Sequence, residues 1–278
     1  MAERNFRSLL EAQWERGNFL CVGLDGDREK IPESAQRESI REALFAFNRT
    51  IVESTHDIVG AYKPNTAFYE AYGAEGWAAL KDTISYINQF APDVPVILDA
   101  KRADIGNTNK GYAIAAFDDL GADAITVHPY VGAEALAPFL ERADKGVIVL
   151  CRTSNPGSGE FQDLITEGEP LYVKVARNVA EIWNANNNCS LVVGATYPDE
   201  LKRIRSIVPD LPILIPGIGA QGGDIGQSVK LAKDSRGKGF IVSTSRAVIF
   251  ASDGPQYQDA MRRSAQEYDR AIRAALVD

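Results

Sequence analysis

Short apolar runs of strand length alternate along the chain with longer stretches in which apolar residues recur every three or four positions, the pattern of parallel βαβ units. Eight such runs occur, at residues 19–24, 58–62, 94–98, 124–127, 147–151, 191–194, 212–215 and 239–242. They are almost continuously apolar, as strands covered on both faces should be. Segments 39–53, 76–90, 108–120, 170–186 and 199–208 between them predict amphipathic outer helices. An amphipathic stretch at 6–14 predicts an extra helix before the first strand, and 257–276 a last helix after the eighth. Eight units in 278 residues favour one α/β domain over 1–278, a closed (β/α)8 TIM barrel, over an open doubly wound sheet. The stretch 153–169, rich in glycine, serine and acidic residues, reads as an irregular loop and a candidate lid.

In a barrel of this kind the chemistry gathers at the C-terminal ends of the strands. Here those ends are polar: Asp25 follows the first run, Lys63 the second, Asp99 and Lys101 the third, His128 the fourth, and Arg152, Thr153, Ser154 and Asn155 the fifth. The densest cluster is Asp99-Ala100-Lys101-Arg102-Ala103-Asp104. Residues two apart in a strand face the same way, so Asp99 and Lys101 are expected to project inward, about 7 Å apart along the backbone. Two readings stay open on spacing alone. Asp104 caps the next helix while Asp99 and Lys101 form a solvated ion pair; or two carboxylates hold one ammonium charged as a fixed proton donor.

A second cluster follows the seventh run, where Pro216-Gly217-Ile218-Gly219-Ala220-Gln221-Gly222-Gly223 precedes Ser245-Arg246 after the eighth. Glycines let backbone N–H groups approach an anion, and barrels frequently bind phosphate in these two loops. Residues 217–222 also satisfy GxGxxG, but late in the chain and with no acidic residue ending the next strand, so the dinucleotide reading is weak.

Charge and composition narrow the function further. Thirty basic against thirty-eight acidic residues give a net charge of −8 without a basic run, which argues against nucleic acid or an anionic membrane as partner. No stretch of about 18 apolar residues and no signal-peptide pattern occurs, so a cytoplasmic protein is expected. Cys21, Cys151 and Cys189 are odd in number, lack CxxC spacing and read as buried thiols. With His56, read as a surface residue, and His128, read as structural, as its only histidines, the chain offers no plausible zinc site.

The run DAKRADIGNT resembles the DxKxxDIxxT signature of orotidine 5′-phosphate decarboxylases, and VGLD, AYKPN, RTSNPGSGEFQ, PGIGAQGGD and SR agree with that family in order along the chain. The KPN and SNPG forms resemble its type 2 branch. The resemblance implies a TIM barrel that forms a homodimer with sites shared across the interface and removes CO2 from orotidine 5′-phosphate without metal or other cofactor. It further implies Asp99, Lys101 and Asp104 as the catalytic array, with Lys63 extending the charge network. Asp25 and Lys63 would bind the ribose; Ser154 the pyrimidine; Gln221 and Arg246 the phosphate. Asp104, Ile105 and Thr108 would reach the partner's site. Ser245 stands where many relatives carry glycine, which leaves its own phosphate contact open. The rival readings are a Mg2+-dependent sugar-phosphate decarboxylase or aldolase of the same extended group, and a non-catalytic phosphate-binding barrel.

Overall fold

The computed structural model describes residues 4–218 and 222–277. All eight expected strands form: β1 Leu20–Gly23, β2 Val59–Lys63, β3 Ile97–Arg102, β4 Ala124–Val127, β5 Gly146–Arg152, β6 Cys189–Val193, β7 Ile213–Ile215 and β8 Phe240–Thr244. They run parallel in the order β2-β1-β8-β7-β6-β5-β4-β3. The seam between β2 and β3 is joined only by the bridges Tyr62–Val96 and Asn65–Asp99. Pro64 and Pro95 flank this seam and have no N–H to donate, so the ladder there is carried through their carbonyls, which accept from Asp99 (2.9 Å) and Tyr62 (3.0 Å). The sheet thereby closes into a barrel.

The helix Phe6–Glu15 starts at Asn5, whose side chain accepts from the Ser8 N–H at 2.9 Å. Phe6, Leu10 and Trp14 recur every four residues and are buried, forming the stripe that covers the N-terminal end of the barrel. Gly146 admits this helix, because a Cβ there would lie 2.2 Å from the Phe6 ring. Trp14 donates its indole N–H to the Phe240 carbonyl at 2.9 Å. The same end is tied by buried Arg205, which donates to the carbonyls of Ala232, Val208, Pro209, Leu211 and Gly239 and whose pKa burial pulls down to about 10.

Several segments differ from expectation. The helix expected at 108–120 begins at Gly106, stays α-helical to Ala113 and widens into a π-helix over Ile114–Asp119. That at 170–186 does the same, α-helical over Leu171–Asn178 and π-helical over Val179–Trp183. The stretch 153–169 is not irregular: it holds a turn at Pro156–Ser158, a helical turn at Gly159–Gln162 and the paired segments Ile165–Thr166 and Glu169–Pro170. Glu167 and Gly168 both have positive φ, which is what a tight two-residue hairpin turn requires. The three cysteines are free and buried, and burial raises Cys21 and Cys189 to about 12 and Cys151 further. His56, read as a surface residue, is half-buried and packs against Phe90, with ring centroids 5.0 Å apart.

Candidate active site

Asp99 lies at the mouth of the barrel on β3 and is 8% exposed. Four side-chain donors converge on its carboxylate: Lys101 Nζ (2.8 Å) and Thr126 Oγ1 (2.8 Å) on Oδ1, Lys63 Nζ (3.2 Å) and Asn65 Nδ2 (3.3 Å) on Oδ2. Burial works to raise its pKa, but the Lys63 and Lys101 ammonium groups and the hydrogen bonds outweigh that and hold it well below the usual carboxylate range. For buried Lys63 burial works downward, and the charges of Asp99 and Asp25 outweigh it, so its pKa is raised. One carboxylate between two ammonium groups is therefore the core of the site within this chain.

The strand does not deliver Lys101 by simple alternation. The register between β3 and β4 slips between Leu98 and Arg102, and Lys101 has φ +46°. A left-handed non-glycine residue costs about 1–3 kcal/mol. Opposing that cost, the Lys101 N–H donates to Thr126 Oγ1 at 2.9 Å while the same hydroxyl donates to Asp99, so one threonine fixes both residues. The Lys101 side chain is 49% exposed, so its ammonium opens on the cavity while Asp99 stays covered. The solvated ion pair accordingly describes only the lysine end.

Two adjoining cavities share Lys63 and Pro216. One, of about 450 Å³, is lined among others by Asp99, Lys101, Thr126, Ser154 and Gln162; the other, of about 150 Å³, by Asp25, Ser245 and Arg246. A larger hollow of about 560 Å³, lined by Glu267 and Tyr268, meets the smaller cavity at Ile218 but is not lined by these charged groups; the convergent polar groups, not the size, mark the site. Asp25 accepts from the Asn65 N–H at 3.3 Å. Arg246 is exposed at the start of the short helix Arg246–Ile249 and makes no ion pair among the described residues. The Ser245 hydroxyl is buried without a partner among the described residues, against Gly23, where a Cβ would lie 2.6 Å from that of Ser245. Gln221 lies outside the described residues.

Asp104, Ile105 and Thr108 do not join this group. Neither cavity is lined by them, Ile105 is 65% exposed, and the Asp104 carboxylate accepts from the Ile105 N–H at 2.7 Å. Nor does Asp104 cap the helix, since the N-cap position is Ile105. Asn109 holds the turn by accepting from the Asp104 N–H at 2.8 Å and donating to its carbonyl at 2.6 Å. Sequence reasoning missed Asn65, Thr126 and Gln162 as lining or bonding residues. Thr126, a polar side chain within an apolar strand, carried the one local signal.

The model of the orotidine 5′-phosphate decarboxylase / HUMPS family matches residues 18–258. The chain belongs to this family. It is 47% identical over 98% of its length to an orotidine 5′-phosphate decarboxylase of Cellvibrio japonicus, covering 99% of that protein. With one of Herpetosiphon aurantiacus it shares 51% identity over 90% of each chain. The solved structure of Leishmania donovani OMP decarboxylase superposes with a TM-score of 0.86 at 39% identity, covering 99% of both chains. The barrel is thus what the apolar pattern anticipated, and the family is the one the motifs resemble.

Proposed function

We propose that the protein is a carboxy-lyase that converts orotidine 5′-phosphate to UMP and CO2 in pyrimidine biosynthesis, with no metal or organic cofactor. The observation that carries this reading is the covered Asp99 carboxylate beside a Lys101 ammonium that opens on the cavity. Breaking the C6–CO2 bond leaves its electron pair on C6 in the plane of the ring, where π delocalisation is poor, so stabilisation must come from a fixed nearby charge. Lys101 supplies that charge, favouring the developing carbanion over the ground state, and then transfers a proton from Nζ to C6. Asp99 holds the lysine in place, Lys63 in turn holds Asp99, and Asp104 of a second chain completes the array. Asp25 and Lys63 take the ribose hydroxyls, Ser154 the pyrimidine, and Arg246, Gln221 and the Ser245 turn the phosphate.

The active form is a homodimer, with Asp104, Ile105 and Thr108 placed in the neighbour's site. What supports this is that none of the three serves its own cavity, and that Ile105, Tyr112, Ile114 and Tyr130 form exposed apolar surface on the elements after β3 and β4. The barrel acts as one domain in the cytoplasm; among the described residues no helix is long and apolar enough to cross a membrane, and the thiols are unpaired. The Mg2+-dependent alternative is disfavoured by Lys63, an ammonium rather than a carboxylate at the end of β2. The test is an ultraviolet assay with orotidine 5′-phosphate before and after EDTA. Turnover indifferent to the chelator is expected; no loss of substrate, or loss that EDTA abolishes, would overturn the reading.

A further inference from the structure

Arg152 ends β5 and is the largest fully buried side chain in the barrel, 2% exposed, yet it touches none of the charged groups of the site. Its guanidinium faces the loop instead. Nη1 donates to Ser158 Oγ and to Gln162 Oε1 (3.3 Å), and Nη2 donates to Asp163 Oδ2 (3.1 Å). The flat face of the group lies 3.7 Å from the ring centroid of Tyr197, which follows β6. Gln162 in turn accepts from the Thr153 N–H at 2.9 Å and donates to Thr153 Oγ1 at 2.9 Å. The loop is pinned from the other side as well. Gly194 approaches Ser154 so closely that an added Cβ would lie 2.8 Å from the Ser154 Cα, and the Gly194 N–H donates to the Arg152 carbonyl at 2.7 Å.

The loop so held carries Thr153, Ser154, Asn155 and Gln162, which form part of the wall of the cavity of about 450 Å³ together with Lys63 and Lys101. We propose that Arg152 is a positioning residue that holds this wall formed before substrate arrives, acting through Ser158, Gln162 and Asp163 on the loop over residues 153–163. A buried planar cation has the right shape, since three acceptors and an aromatic face surround it and lysine can match neither the fork nor the stack. The functional consequence rests on the decarboxylase reading; the loop-holding role does not.

Two measurements separate them. Hydrogen exchange of the ligand-free protein reads the loop directly: in Arg152→Lys the amides of 153–163 should exchange at least about tenfold faster while those of β1 to β4 are unchanged. Asp163→Ala removes a half-exposed partner of the guanidinium and should show the same localised change, smaller in size. Kinetics reads the consequence. If the formed wall falls to about a tenth of the free population, apparent affinity falls about tenfold, so KM for orotidine 5′-phosphate should rise about tenfold with kcat within about twofold. A residue that merely stabilised the barrel would lower kcat with the folded fraction and leave KM alone. Unchanged exchange in both variants, or acceleration spread over the whole barrel, overturns the proposal. If the exchange result holds but the wild-type chain leaves orotidine 5′-phosphate unchanged, the decarboxylase reading fails and the loop-holding role stands.

Discussion

At the residue scale the site is built around a carboxylate that is costly to bury and is made stable by its surroundings. Asp99 in the folded chain has a pKa below its unfolded value of about 3.9, so its contribution to stability is fully present above that value and is lost progressively as the pH falls from there towards the lower folded pKa. Asp99→Asn removes this linkage and leaves Lys63 buried beside a neutral amide. The variant should be less stable at pH 7, and the difference in urea midpoint from wild type should narrow below about pH 4. A constant difference from pH 7 to pH 3 would show that Asp99 is not held ionised. Lys101 is set to act on substrate rather than on stability, being half-exposed, with its left-handed backbone supported by Thr126. Lys101→Ala should keep the fold by circular dichroism and lower turnover by more than about a thousandfold, since it deletes both the charge and the proton source. Activity within about tenfold of wild type would remove it from the mechanism.

At the scale of elements, the end of β8 and the helix that follows it place an ordinary arginine on a cavity. Arg246 is exposed, stands at the first turn of the helix and lines the smaller cavity together with Asp25 and Lys63. A guanidinium there pairs with a 5′-phosphate, which orotidine lacks; the charge orotidine keeps is the ring carboxylate at C6. Arg246→Ala should therefore raise KM for orotidine 5′-phosphate at least about tenfold while leaving the slow turnover of orotidine itself nearly unchanged. Equal losses on both substrates, measured as kcat/KM, would mark the residue as structural. Although the helices Gly132–Leu140 and Ile225–Ala232 were not anticipated, the eight strands and the five named outer helices were legible in the apolar periodicity to within a few residues. The π-helical turns at Ile114–Asp119 and Val179–Trp183 were not, because a widened turn leaves the three- and four-residue spacing of apolar positions almost unaltered.

At the scale of the whole molecule, the separation of Asp104 from Lys101 within one chain makes the assembly testable. Lys101→Ala and Asp104→Ala should each be nearly inactive as homodimers, since both sites of each lack one group. When chains are mixed and exchanged at random, half the dimers are mixed and half the sites in those are intact, so roughly a quarter of wild-type activity should return. Native mass spectrometry checks the mixing. Heterodimers without recovered turnover would sink the shared site.

The barrel and the clustering of charge at one end of it are legible in the amino-acid sequence alone. Eight buried parallel strands force almost unbroken apolar runs, so the few charged residues at their C-terminal ends stand out: Asp25, Lys63, Asp99 and Lys101 are all found at the mouth. Only the tertiary structure decided which of these groups touch. Lys63 and Asp99 are thirty-six positions apart and meet because β2 and β3 adjoin across the seam. Asn65, Thr126 and Gln162 belong to three different loops or strands, and no local pattern reports a hydrogen bond made between elements. Arg152 carried no signal of its role either. A lone arginine after an apolar strand reads as solvated, and its burial depends on Ser158, Gln162, Asp163 and Tyr197 folding around it. Periodicity is a property of neighbours in the chain, whereas charge pairing and loop anchoring are properties of neighbours in space.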